Sequence, residues 1–208
     1  MDDVVSRAQQ AGVEKILLPN INRESIEPML ALCHRYPGYL YPMIGLHPED
    51  VKEDWEQLLS EMETMLQQPG NPFVAVGEVG LDFYWDKTFS EEQKKALDVQ
   101  IQWAVRYGLP LMIHCRDAHD ELLEALAPDY IQGLTLLGGE PFEPKNQEVL
   151  LPFVKKVRER FPDKTVWSFS GFTWEELNAL NVELIITVNK TVIIIVAIII
   201  NIIIDFFI

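Results

Sequence analysis

Short apolar runs alternate with helical patterns along most of the chain. The helical segments cover about residues 1–12, 25–36, 52–68, 90–107, 147–160 and 173–180. The apolar runs are KILLP from Lys15, YPMIG from Tyr41, FVAVG from Phe73, LPLMIH from Leu109, LTLLGG from Leu134, TVWSFSG from Thr165 and VELIITV from Val182. Strands that alternate with helices indicate a parallel sheet whose strands are buried on both faces. The pattern predicts an α/β fold, a partial or distorted TIM-barrel-like parallel sheet with surrounding helices.

The first residues predict an amphipathic helix that runs into a strand, and no signal peptide. Because the chain opens in the middle of the strand–helix rhythm, we expect an upstream strand to be missing. The motif SEEQ predicts a capping box with Ser90 as the N-cap. Counted generously, about eight strand candidates are present, which would be enough for a closed barrel if all of them formed.

The tail at residues 182–208 differs from the rest, because it is a low-complexity segment of Ile, Val and Phe. Three interpretations stay open: a transmembrane anchor, a pair of buried strands, or an aberrant terminus. The length of its last stretch, TVIIIVAIIINIIIDFFI from Thr191, is close to a membrane span, but Asp205 and the lack of basic or aromatic flanks argue against one, so we do not expect membrane attachment. In each case the segment is β-prone and liable to aggregate.

Composition restricts the partners. The chain has 208 residues with 17 basic and 32 acidic side chains, a formal net charge of −15. Such a protein repels phosphate backbones at long range, so a nucleic-acid substrate would need bound cations or a local basic pocket. Cys33 and Cys115 have no metal-binding or redox spacing, and we interpret both as reduced thiols in a cytoplasmic protein.

Polar side chains follow three successive strand candidates. His47 lies in GLHPED, Glu78 and Asp82 lie in GEVGLD, and His114 and Arg116 lie in IHCRDA. These positions converge if the strands are neighbours, because the loops after parallel strands meet at one edge of the sheet. A carboxylate and an imidazole at neighbouring strand ends predict a divalent-metal site.

The motifs LLPNIN, GLHP, GEVGLDFYWD and IHCRDA, over about residues 4–118, resemble in order and spacing the TatD family of metal-dependent deoxyribonucleases. The resemblance implies a TIM barrel with one or two divalent metal ions (Mg, Mn or Zn) and hydrolysis of DNA or a small phosphodiester. By the same resemblance Glu78 is the catalytic, metal-bridging carboxylate and His114 a metal ligand. His47, Asp82 and Arg116 are then substrate-binding residues.

The chain departs from that family at the metal site. It lacks the HxH pair of the first family strand and the later histidine and aspartate, and His119 is its last histidine. Catalytic sites usually supply about three protein ligands to each metal ion. We therefore expect doubtful metal occupancy, impaired or absent hydrolysis, and no stable binding of nucleic acid.

Residues 119–181 resemble the middle of the radical-SAM activating protein of anaerobic ribonucleotide reductase. Their GGEP motif implies that Gly138, Gly139 and Glu140 contact the amino end of S-adenosylmethionine. The CxxxCxxC motif is missing, so we expect no iron–sulfur cluster. The sequence thus divides at 1–118, 119–181 and 182–208. Two further interpretations stay open: a non-catalytic fused α/β fragment, or a SAM-binding activase fragment without its cluster.

Overall fold

Curled sheets of mostly parallel strands, surrounded by helices, form the body of the molecule. The structure is a computed structural model that describes residues 2–137, 139–180, 193–195 and 205–206. In chain order the strands are β1 (Ile16–Leu18), β2 (Leu40–Ile44), β3 (Ala75–Asp82), β4 (Leu111–Arg116), β5 (Gly133–Leu136), β6 (Thr165–Ser170), β7 (Ile193–Ile195) and β8 (Asp205–Phe206). The α-helices are α1 (Asp2–Gln10), α2 (Arg23–Arg35), α3 (Trp55–Leu66), α4 (Ser90–Tyr107), α5 (His119–Ala125), α6 (Pro144–Arg160) and α7 (Trp174–Ala179).

The strands lie in two sheets. The first has the order β1-β2-β3-β4-β8, in which β1 to β4 are parallel and β8 pairs antiparallel with β4. The second has the order β5-β6-β7 and is parallel throughout. The predicted class, a partial TIM-barrel-like parallel sheet with surrounding helices, is confirmed. Within the described part of the chain the strands form a half-barrel, not the closed barrel that eight strands would permit.

Helix boundaries follow local chemistry. α4 begins and ends where the periodicity predicts, and it ends at Gly108, whose left-handed φ of 62° suits a C-cap. The capping box predicted at Ser90 is wrong. Phe89 occupies the N-cap without a side-chain cap, and the Ser90 hydroxyl donates to the Lys87 carbonyl instead. A capping box does form at α2, where the Asn22 and Ser25 side chains each accept from the other's backbone N–H.

One apolar cluster crosses the predicted boundary after residue 118. It joins Ile44 and Ile113 of the first sheet to Leu134 and Val166 of the second, and it continues to Leu177 in α7. Burial of each such side chain contributes about 2 kcal/mol to the free energy of unfolding. The residues on the two sides of the boundary therefore share a core, whereas the boundary itself stays a prediction.

The tail is described at two places only, the short strands β7 and β8. The strand predicted at VELIITV lies outside the described residues. Within the described part of the chain, no helix is both long enough and apolar enough to cross a membrane.

Both cysteines are free thiols that should react slowly in the folded protein. Burial raises the pKa of Cys115 to about 12, and burial also raises the pKa of Cys33. Since the thiolate is the nucleophile, we expect negligible labelling of native protein by iodoacetamide at neutral pH, and full labelling in guanidinium chloride. Mass spectrometry would measure the labelling. Prompt labelling of the native protein would contradict the burial of the two thiols.

Candidate metal centre

The carboxyl halves of β3 and β4, together with the loop after β2, bring the predicted polar residues together. His47 follows β2 as predicted, whereas Glu78, Asp82, His114 and Arg116 lie within β3 and β4 and not after them. Gly80 of β3 lies opposite His114 of β4, so the side chains of Glu78 and Asp82 flank the imidazole from either side. The β3–β4 register shifts between Val76 and Val79, a bulge that includes Glu78. Bulges re-aim a side chain at the edge of a sheet. Here the bulge accompanies a Glu78 side chain that points at His114.

The distances within this group are short. The Glu78 Oε1 atom lies 3.6 Å from Nδ1 of His114, and the His47 and His114 ring centroids lie 4.7 Å apart. One potential ligand atom from each of His47, Glu78 and His114 lies within 4.8 Å of the other two. A carboxylate and an imidazole, here Glu78 and His114, are donors that Mn²⁺ and Zn²⁺ accept readily. The chemistry of these residues therefore fits a divalent cation.

Asp82 fixes the orientation of His114. Its side chain is buried, with the whole residue 2% exposed. Oδ2 of Asp82 lies 2.8 Å from Nε2 of His114, and Oδ1 accepts the backbone N–H of Tyr84 at 3.0 Å. An ionised carboxylate only accepts, so Nε2 of His114 donates to Asp82, which leaves Nδ1, on the side of Glu78, as the nitrogen that would bind a cation. Metal-ligating histidines usually have such a carboxylate behind them.

His47 has a different hydrogen-bond arrangement. It is the N-cap of the short 3₁₀ turn Pro48–Asp50, and its Nδ1 accepts the backbone N–H of Glu49 at 3.3 Å. The neutral ring then carries its proton on Nε2, which makes that atom a donor and not a ligand. This arrangement favours the predicted substrate-binding role of His47 over metal ligation.

The two imidazoles have pKa values that move in opposite directions. Burial, reinforced by the nearby His114, lowers the pKa of His47. Burial alone would also lower the pKa of His114, but its bonds to Glu78 and Asp82 outweigh that effect and raise it. His47 is therefore neutral at neutral pH, and the carboxylates favour positive charge on or beside His114.

Asn20, which was not predicted as a site residue, links the carboxyl ends of β1 and β2 to the middle of β3. It is fully buried at 0% exposure. Its backbone N–H donates to Gly77 and its carbonyl accepts from Glu78, while its side-chain amide donates to Gly45 at 2.7 Å and accepts from Ser25 at 2.7 Å. In the sequence, the sign of this role is that Asn20 is a polar residue just after the apolar run in LLPNIN.

Replacement of Asn20 by alanine should lower the free energy of unfolding by about 2 kcal/mol, because the buried Gly45 carbonyl loses its donor. Urea denaturation followed by circular dichroism would measure this. Asn71→Ala is the matched control: its amide donates to Leu66 near the end of a helix, and we expect about half the loss. Equal losses in the two variants would contradict the positioning role of Asn20.

Arg116 lies at the end of β4, beside the same group. Its guanidinium stacks over the Tyr84 ring at 3.9 Å and lies 5.2 Å from the centroid of Trp85. The backbone N–H of Phe83 donates to the Arg116 carbonyl. Arg116 is thus held against the loop that follows β3, and its predicted contact with substrate stays a prediction.

The GGEP segment lies elsewhere, after β5. Gly138 lies outside the described residues, and Gly139 has a φ of 50°. The Glu140 carboxylate accepts hydrogen bonds from the Ser170 hydroxyl and from the backbone N–H groups of Phe142 and Gly171. It thereby ties the loop after β5 to the end of β6. The predicted contact of Glu140 with S-adenosylmethionine stays a prediction, although three donors of the chain already use this carboxylate.

Sequence comparison identifies the lineage of the region that carries the site. The family described as TatD related DNase matches residues 1–139, two-thirds of the chain. The chain belongs to the TatD-related DNase family. The match includes β1 to β4 and every residue of the candidate metal centre.

Curated relatives cover the same region of this TatD-family chain. A protein named 3′-5′ ssDNA/RNA exonuclease TatD, from Pectobacterium carotovorum subsp. carotovorum (strain PC1), is 35% identical over 127 residues, which is 61% of this chain and 48% of that protein. An uncharacterized metal-dependent hydrolase, YjjV of Escherichia coli (strain K12), is 39% identical over 118 residues, 57% of this chain and 45% of that protein. The chain spans about half the length of the curated relatives it matches.

A crystal structure of the Escherichia coli K12 TatD homologue YjjV is similar to this TatD-family chain with a TM-score of 0.61 and 30% sequence identity. The similarity covers 84% of this chain and 64% of that one. It therefore extends beyond the region in which the curated sequences align.

A second family, described as a 4Fe-4S single cluster domain, matches residues 99–199. Clusters of this kind are held by about four cysteine thiolates. This segment of the TatD-family chain contains Cys115 as its only cysteine, and the thiol of Cys115 is held protonated by burial. The residues present therefore do not fit a cluster, and the resemblance of 119–181 to a radical-SAM activating protein stays a prediction.

Proposed function

We propose that this chain is a TatD-type, metal-dependent hydrolase that acts on phosphodiesters of single-stranded DNA or RNA. The observation that carries the proposal is the pairing of Glu78 with His114, whose Nδ1 is held toward the carboxylate by the bond between Nε2 and buried Asp82. The names of the relatives, an ssDNA/RNA exonuclease and a metal-dependent hydrolase, support the substrate class.

Glu78 and His114 would hold one divalent cation, and water and phosphate oxygens would complete its coordination. Such a cation polarises a phosphodiester and makes water more acidic. Mg²⁺ and Mn²⁺ tolerate this arrangement, because they commonly keep several waters in place of protein ligands. The mixed oxygen and nitrogen set does not by itself select the metal.

His47 and Arg116 would bind the substrate. The ring of neutral His47 lies 4.7 Å from the ring of His114, centroid to centroid, and its Nε2–H would donate to a phosphate oxygen. Arg116 adds a permanent positive charge at the end of β4. These two residues supply the local basic contacts that a chain of formal charge −15 needs to approach a phosphodiester.

Hydrolysis by this chain should be slow. Two protein ligands per cation is fewer than the usual three, so metal affinity is weak and only one cation is held at a time. We therefore also propose that activity is impaired relative to these relatives, of which the matching region covers only about half.

Titration with Mn²⁺, followed by electron paramagnetic resonance of the free ion, tests the proposal. We expect one weak site that Glu78→Gln removes. Glu56→Gln, on the exposed face of α3, is the control and should leave the site intact. The same three proteins would be assayed with Mn²⁺ on a single-stranded oligonucleotide. Binding and cleavage that are equal in the wild type and in Glu78→Gln would refute the proposal.

The second candidate is a non-catalytic α/β body. It is favoured by the shared apolar core, which would fold without any metal. A cooperative thermal transition, together with no Mn²⁺ uptake and no cleavage above the Glu78→Gln background, would establish this alternative.

A further inference from the structure

Two large aromatic side chains lie exposed in the loop after β3. Trp85 is 71% exposed and Tyr84 is 52% exposed, whereas Trp103 of α4 is 1% exposed. Leaving an indole and a phenol in water forgoes the stabilisation that their burial would provide. Adjacent exposed aromatics of this size are typical of a surface that binds a partner.

Arg116 organises these rings. Its guanidinium stacks on Tyr84 at 3.9 Å, and the Tyr84 and Trp85 rings meet edge to face with centroids 4.7 Å apart. Stacked cation–π contacts hold the rings in place and add positive charge beside them. We call Tyr84, Trp85 and Arg116 the aromatic platform.

The aromatic platform is anchored to the candidate metal centre. Asp82 bonds His114 through one oxygen and the backbone of Tyr84 through the other. Only two residues separate Asp82 from Trp85. A ligand bound on the platform therefore lies next to the place where Glu78 and His114 would hold a cation.

A cavity of about 280 Å³ adjoins the platform. Its lining includes Trp85, Phe89, Lys52, Gln93 and the carboxylates Glu49, Asp82 and Asp86. The volume is just below the usual range for small-ligand sites, so it suits a single base or nucleoside. Three carboxylates and one lysine line the cavity. Because carboxylates accept hydrogen bonds and repel anions, this lining favours a neutral base with amino or imino donors over a phosphate.

We infer that the aromatic platform stacks an unpaired base of the single-stranded nucleic acid on Trp85, beside the scissile phosphodiester; this inference rests on the proposed function. Unpaired bases offer their faces to aromatic rings, whereas the bases of a duplex are already stacked. Stacking tolerates every base, so the platform provides little sequence preference. It favours single-stranded over double-stranded nucleic acid and places the end of the nucleic-acid chain next to Glu78 and His114.

Photo-cross-linking tests this directly. The probe is a single-stranded oligonucleotide of about ten nucleotides with a terminal 5-iododeoxyuridine. On irradiation the iodouracil base of this nucleotide cross-links to the aromatic ring on which it stacks. Mass spectrometry of the irradiated complex should place the adduct on Trp85 or Tyr84. Adducts that map only to other residues would overturn the inference.

Affinity measurements use matched variants. Trp85→Ala should weaken binding of the oligonucleotide about tenfold, and Trp85→Phe should restore most of it. Tyr130→Ala is the control, because Tyr130 is also partly exposed but lies just before β5, a strand of the second sheet. The wild type should also bind an abasic strand of the same length about tenfold more weakly. Equal affinity of wild type and Trp85→Ala would overturn the inference.

The experiment separates the inference from the proposed function. Cross-linking is done in EDTA, so it does not depend on metal-driven hydrolysis. If an adduct forms on Trp85 but a separate assay with Mn²⁺ shows no cleavage, the hydrolase activity is refuted and the platform stands. The opposite outcome is also distinguishable. If Trp85→Ala hydrolyses bis(p-nitrophenyl) phosphate, a substrate without a base, and binds the oligonucleotide as tightly as the wild type, the hydrolase activity stands and the platform is refuted.

Discussion

Replacement of Asp82 by asparagine should lower the affinity for Mn²⁺ by about 10–100-fold, the usual effect of losing the group behind a ligating histidine. Each oxygen of Asp82 accepts a hydrogen bond, one from Tyr84 N–H and one from His114. An asparagine has one oxygen and one NH₂ group. If its oxygen keeps the bond to Tyr84, its NH₂ faces Nε2 of His114, which must then accept. The proton of the neutral ring then lies on Nδ1, and that nitrogen loses the lone pair with which it would bind a cation beside Glu78.

Nitrogen-15 NMR of the histidine rings, at a pH above the raised pKa of His114 so that the ring is neutral, would show this change without any metal, because the two tautomers have distinct nitrogen shifts. The control is Asp86→Asn in the same loop, an exposed carboxylate whose side chain accepts from Thr88. We expect Asp86→Asn to leave both the tautomer and the Mn²⁺ affinity unchanged. An Asp82→Asn protein with the native His114 tautomer and native metal affinity would show that Asp82 does not orient the ring.

Replacement of Gly80 by alanine should lower the free energy of unfolding by about 4 kcal/mol or more, enough to unfold many domains of this size. Gly80 has a φ of +139°, and an added Cβ would lie 1.9 Å from the His114 carbonyl oxygen. That oxygen belongs to a neighbouring strand of a buried parallel sheet, so it cannot move aside without breaking the β3–β4 pairing.

Gly70→Ala separates the steric clash from the effect of backbone conformation. Gly70 also has a positive φ, +74°, but an added Cβ would meet no atom within 4 Å. We expect a loss of about 1 kcal/mol from the left-handed conformation alone. Urea denaturation of both variants gives the comparison. A Gly80→Ala protein as stable as Gly70→Ala would contradict the close approach of β3 to β4 at His114.

Much of the fold was predictable, because buried parallel strands and amphipathic helices leave strong patterns. The runs at Leu109 and Thr165 form β4 and β6, and α4 was predicted with its correct ends. The convergence of Glu78 and His114 followed from the placement of both side chains near the ends of neighbouring strands. Each of these predictions needed only local periodicity and the parallel topology.

The orienting contacts could not be predicted, because they depend on register and burial. The sequence placed Asp82 in the substrate pocket with no sign that it bonds His114, since that contact requires Gly80 to lie opposite His114. The bonds from Asn20 to Gly45 and Glu78 join three separate strands. The wrong prediction of a capping box at Ser90 has the same origin. The SEEQ motif has the residue types of a capping box, but the Ser90 hydroxyl donates to the Lys87 carbonyl of the preceding turn.

Because one apolar cluster runs from Ile26 in α2 to Leu177 in α7, the chain cannot be cut after residue 118 without cost. A fragment of residues 1–118 would expose to water the apolar side chains of the first sheet, such as Ile113, that this cluster now buries. We expect such a fragment to be recovered in inclusion bodies, which would show that the later segment is needed for the first one to fold.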